Sequence, residues 1–149
     1  MKPEADDILR LCVMRLATSI APLVGPDIFA LGQIGLVSSM MNLAAQEYER
    51  GADIRAKENA DIRKLFAKLA SQVREPSLKA KLEKAARKKD ASLLISALNS
   101  ANYDLRRLLS EAQAHIEQLP GLRARQAERH IWSTLRKLAD RRLVKFGTP

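Results

Sequence analysis

Residues 28–46, IFALGQIGLVSSMMNLAAQ, run without a charged side chain, and residues 53–73, DIRAKENADIRKLFAKLASQV, follow as a densely charged amphipathic stretch. Only Gly32 and Gly35 interrupt the helix-compatible residues of the first segment. A helix so uniformly uncharged has to be covered by something. In the second segment Ile54, Ile62, Leu65, Leu69 and Val73 fall on one side at 100° per residue, which predicts a core face. Gly51 stands between the two, where a helix can bend. The pattern resumes in register beyond it, so one long, bent central helix is expected.

Upstream, Pro22-Leu-Val-Gly-Pro26 reads as a tight connection and Asp27 as the N-cap of the central helix. A first helix is expected from Asp6 or Asp7, acids suited to a helix N-terminus, through Leu9, Leu11, Cys12 and Leu16 to Pro22. The two helices then form an apolar antiparallel hairpin. Nineteen uncharged residues approach the ~20 that span a bilayer. Against a span stand Gln33, Ser38, Ser39, Asn42 and Gln46, and the lack of flanking aromatic and basic belts. The reading favoured is the central helix of a soluble bundle, with a dimer interface as the alternative.

Downstream, Pro76 suits the first turn of a third helix carrying Leu78, Leu82, Ala85 and Ala86 inward and Lys79, Lys81, Lys84, Arg87, Lys88 and Lys89 outward. Asp90 is read as the N-cap of a fourth helix with a seam at Leu94, Leu98, Ala101, Leu105, Leu108, Ala112, His115 and Leu119, stopped by Pro120-Gly121. A last helix, about 122–146, has a face of Ala127, Ile131, Leu135 and Leu138, widened by Trp132, Ala139 and Leu143. No segment reads as a strand. The expected fold is all-α: one domain over residues 1–149, a bundle of about five helices.

Residues 1–51 carry four Lys/Arg against six Asp/Glu, and residues 52–149 twenty-two against eleven, so a charge of −2 gives way to +11. That asymmetry points to an anionic partner or simply to a solvated face. Cys12 is the single cysteine, which excludes a disulfide framework and a zinc-binding spacing. The N-terminus has acids where an export signal would carry lysines. A reducing, cytoplasmic setting is expected.

No phosphate loop, metalloprotease, serine-hydrolase, di-iron or kinase pattern occurs, so no catalytic residue, metal or cofactor is assigned and an enzyme is disfavoured. His115 is expected at a core boundary and His130 at the surface. One cluster conflicts with the core pattern: on a continuous helix Glu47, Arg55 and Glu58 share the core face. Buried carboxylates need partners, so these three form either an internal ion-pair network or a ligand-binding cleft. A second candidate is a polyanion or nucleic-acid patch of Lys84, Arg87, Lys88, Lys89, Arg136, Lys137 and Arg141. The six aromatic residues, mostly at core phases, offer no stacking platform.

NLAAQEYERG at residues 42–51, followed by the charged stretch, resembles a family of small all-α bacterial domains of unknown function. Genes of that family often lie beside those of aminoglycoside-phosphotransferase-like enzymes and acyl-CoA dehydrogenases. Glu47, Glu49 and Gly51 match its pattern, while Gln46 replaces a usual arginine; Leu98-Asn99, within LISALNSANYDLRRLL, matches a second leucine-rich helix. The likeness extends in helix order over residues 30–145 and implies an accessory domain acting near such an enzyme. The expectation is therefore a non-enzymatic protein-interaction domain, self-associating as a homodimer through the apolar hairpin or bound to another protein. Polyanion binding by residues 74–149, or a small-molecule or catalytic cleft at Glu47, Arg55 and Glu58, are the rivals.

Overall fold

A computed structural model describes residues 3–144. The fold is all-α, as expected: α1 (Ala5–Arg15), α2 (Ile28–Leu69), α3 (Pro76–Arg87), α4 (Ile95–Glu117) and α5 (Leu122–Arg141), with no strand among the described residues. Packing separates two compact units, a front unit up to Gly51 that also takes Val144, and a back unit Ala52–Leu143. The 42-residue α2 runs from one into the other as one continuous α-helix, Gly51 included.

In the front unit the helix of residues 5–15 gives way to a π-helical turn, Leu16–Ile20, and a 3₁₀ turn, Ala21–Val24. The first helix is thus shorter than expected, because Pro22 has no N–H to donate and the preceding backbone rearranges around it. Asp27 caps α2 as predicted: its Oδ1 accepts from the N–H groups of Phe29 at 2.9 Å and Ala30 at 3.1 Å. The less exposed positions of the front half of α2, Ala30, Ile34, Ser38, Met41 and Ala45, recur every three or four residues on one stripe. Only Ala45 on that stripe is fully buried.

The long central helix is as expected, but the burial pattern corrects the expectation that residues 28–46 are covered. Phe29 is 75% exposed and Leu36 56%, and Ile28, Val37, Met40 and Leu43 are also exposed. Within α2 lies an eighteen-residue window of mean hydropathy 1.5 of which 6% is buried, long and apolar enough to cross a membrane by length and composition. Charge-free sequence identified a segment that needs cover, and the chain itself leaves much of it uncovered.

The core lies in the back unit. Ile62, Leu65, Phe66 and Leu69 of α2 pack with Leu78 and Leu82 of α3, Leu105, Leu109, Ala112 and Ile116 of α4, and Ala124, Ala127, Ile131 and Leu138 of α5. Each large aliphatic or aromatic side chain so buried contributes about 1.5–3 kcal/mol. The seam of α4 is rotated from the expected one: Leu98, Leu105 and Ala112 are buried as read, but Asn102, Leu109 and Ile116 take the places assigned to Ala101, Leu108 and His115. Both ridges have the same three-four spacing, so periodicity alone does not choose between them. Trp132 and Leu143, expected to widen the α5 face, are exposed. The α5 helix ends at Arg141, and the further residues expected in it include Lys145 and Phe146, which lie outside the described residues.

Candidate functional site

Two features of the back unit gather its chemistry-bearing side chains. The first is a buried polar network where α2 meets α4. Glu58 and Asn59 are 0% exposed and Asn102 is buried. Arg142 grips the Glu58 carboxylate in bidentate fashion, Nε to Oε1 and Nη2 to Oε2, both at 2.6 Å. Arg106 Nη2 lies 3.5 Å from Oε2, and Asn102 Nδ2 donates to it at 3.4 Å. Such a paired geometry is what makes a carboxylate tolerable at zero exposure.

The amides carry the network onward. Asn102 Nδ2 donates to Asn59 Oδ1 at 2.9 Å, and Arg106 Nε donates to Asn102 Oδ1 at 2.8 Å. Asn59 Nδ2 in turn donates to Asp90 Oδ1 at 3.1 Å and to the Leu98 carbonyl at 3.2 Å. Arg63 Nη2 completes the chain on Asp90 Oδ1 at 2.7 Å. Asp90 is therefore not the N-cap of α4, whose N-cap position is Leu94; it anchors the segment between α3 and α4 onto α2. A cap contributes about 1 kcal/mol, less than breaking a buried charged network costs.

Of the expected cluster, Glu47 belongs to the front unit, and Arg55 and Glu58 to the back unit. Glu58 pairs with Arg142 and Arg106; Arg55 Nε donates to Asn99 Oδ1 at 2.6 Å; Glu47 is exposed in the front unit. The Leu98-Asn99 pair is held against α2 by backbone and side chain, through Asn59 and Arg55. Sequence reading missed Asn59, Asn102 and Arg142. Asn59 offers the usable signal, a neutral polar residue beside an acid that itself sits at a core phase.

The second feature is a groove of about 800 Å³ between α3 and α4. Ala85, Ala97, Ala101, Leu105 and Leu108 supply apolar lining, while Lys81, Lys84, Lys88, Lys89, Arg63 and Arg107 surround it with charge. Three of these cations are neutralised locally, Lys81 by Glu111 at 2.6 Å, Arg107 by Asp104 at 3.1 Å and Arg63 by Asp90. The hydrogen bond and charge of Glu111 raise the pKa of Lys81 above its ordinary value. Lys84, Lys88 and Lys89 form no ion pair with a described residue.

The expected polyanion patch is thus split. Lys84, Lys88 and Lys89 line the groove together, whereas Arg87 is exposed on α3 outside its lining. Arg136 is exposed on α5. Lys137 and Arg141 hold Asp61, at 3.0 and 2.7 Å. Burial works to raise the pKa of Asp61, but hydrogen bonds and charges from Arg141 and Lys137 outweigh it and hold the carboxyl below its ordinary value. A depressed carboxyl stabilises the fold above its unfolded pKa, and that contribution is lost as pH falls through the lowered value.

His115 is half-buried and its Nε2 accepts from the Arg74 backbone N–H at 3.4 Å; His130 lines a 260 Å³ recess with Asp61, Lys64, Lys68 and Lys137. Among the described residues no group of three His, Cys, Asp or Glu side chains is placed to hold a metal ion. No family model matches the chain, and no curated protein or solved structure matches it.

Proposed function

We propose that this chain is a non-enzymatic helical interaction domain that self-associates through the apolar face of its front unit, acting as an accessory to other proteins in a reducing, cytoplasmic setting. The observation that carries the reading is the exposure of Phe29, Leu36, Met40 and Leu43 along one side of α2. At 100° per residue they fall within about 60° of one another, opposite the stripe of Ala30, Ile34, Met41 and Ala45. Their spacing of seven, four and three residues is that of a helix seam awaiting a partner helix. Patches of this kind mark interfaces.

A second copy is favoured over a lipid bilayer as the cover. Gln33, Ser38, Ser39, Asn42 and Gln46 would be costly in hydrocarbon, and α2 continues past them into the charged half without a break or an aromatic belt. The back unit fits the same reading in a supporting role, because Glu58 and Asn59 are fully committed to internal partners rather than open to a substrate.

Sedimentation velocity tests it. A dimer at about 10 μM, dissociated by the double substitution Leu36→Gln/Met40→Gln with helicity unchanged, is the expected result. A protein that stays monomeric at about 100 μM overturns it. Wild-type protein that sediments with phosphatidylcholine vesicles and becomes monomeric only in detergent overturns it in favour of a membrane-bound helix.

A further inference from the structure

We propose that the groove between α3 and α4 is a second docking surface, built to receive an acidic amphipathic helix of a partner protein. Its lining is of two kinds. Ala85, Ala97 and Ala101 leave room above Leu105 and Leu108 for apolar side chains to enter. Beside them Lys84, Lys88 and Lys89 supply three positive charges that no described residue pairs, while the remaining charges of the lining neutralise one another as Lys81–Glu111, Arg107–Asp104 and Arg63–Asp90. An apolar floor beside surplus cations complements a helix with apolar anchors at i, i+3/i+4 and i+7 and carboxylates along its flank.

The groove is also set before a partner arrives. Asp90, one of its lining residues, is bound to Asn59 and Arg63 of the buried network, which ties the segment after α3 to α2. A preformed surface binds more tightly because less ordering accompanies docking. Arg63 Nε–H is buried and has no hydrogen-bond partner among the described residues, which adds an unsatisfied donor on a residue of the groove lining.

Nucleic acid fits this surface less well. The lining contains no aromatic side chain on which a base could stack, and its apolar floor offers nothing to a phosphate backbone.

Fluorescence anisotropy with the full chain decides between these occupants. The probes are a labelled peptide of about four helical turns with leucines on one face and glutamates flanking them, the same residues in permuted order, and an oligothymidylate of similar charge. The expected result is micromolar affinity for the amphipathic peptide and binding at least about tenfold weaker for the permuted one. Lys84→Glu/Lys88→Glu should weaken binding at least about tenfold. Ala101→Phe, which fills the floor without changing charge, should do the same. Circular dichroism and melting temperature confirm that each variant folds. Equal affinity for the permuted peptide, no binding of either peptide, or preferred binding of the oligonucleotide with a steep salt dependence overturns the proposal. Its failure leaves the self-association reading untouched, because the two tests alter different units.

Discussion

Phe66 and Phe29 belong to the same helix, yet Phe66 is wholly buried in the back unit while Phe29 is 75% exposed in the front. The back half of α2 is strongly charged and still supplies the core, because its Ile62, Leu65, Phe66 and Leu69 align on one face with α3, α4 and α5 packed in the same unit. The front half is uncharged and remains largely uncovered. Mean hydropathy therefore ranks the two halves in the wrong order for burial. What decides burial is whether other elements of the chain supply a surface to meet the face, and how many of them do.

The contrast is open to direct attack, beginning with the largest effect. Phe66→Ala should destabilise the fold by about 3–5 kcal/mol, whereas Leu36→Ala in the front half should change the stability of the monomeric chain by less than about 0.5 kcal/mol. Chemical denaturation of both variants measures the difference, and equal losses would show that the front half has a core of its own. Arg142→Met comes next. Among the described residues it leaves the wholly buried Glu58 with only the longer contact from Arg106 and the Asn102 amide, a loss of about 3 kcal/mol. A loss below about 1 kcal/mol would mean that the carboxylate reaches water or another cation.

Smallest is Gly35→Ala. Nothing lies within 4 Å of a Cβ added at Gly35, so the substitution should stabilise the monomer by about 0.5–1 kcal/mol through helix propensity. Thermal melts at low protein concentration show the gain. A destabilised monomer would place another element closer to Gly35 than the structure does.

Much of this architecture can be read directly from residue types. Asp27 and Pro76 mark helix starts, Pro120-Gly121 marks a stop, and the three-four spacing of leucines gives α4. What escaped was phase. Asn102 lies one residue beyond Ala101, and both ridges of α4 repeat with the same spacing, so only the neighbours packed on the helix select the one that faces inward. The site was legible as a conflict and not as a solution. An acid at a core position demanded partners, but Arg142 lies eighty-four residues from Glu58, and no local rule selects it among so many cations. The groove was legible only as a run of lysines, since its apolar floor comes from the facing sides of two helices.

Sequence by itself determined the all-α class, the helices and the Asp27 cap of the central one, because propensity, capping and periodicity act over a few residues. It also determined the charge contrast between front and back. Only the tertiary structure decided which face of each helix is buried, where Glu58 finds its guanidiniums, and that an uncharged stretch of nineteen residues stays largely exposed. Those outcomes depend on which surfaces the rest of the chain brings near, and burial follows contact between elements rather than the hydrophobicity of any one of them.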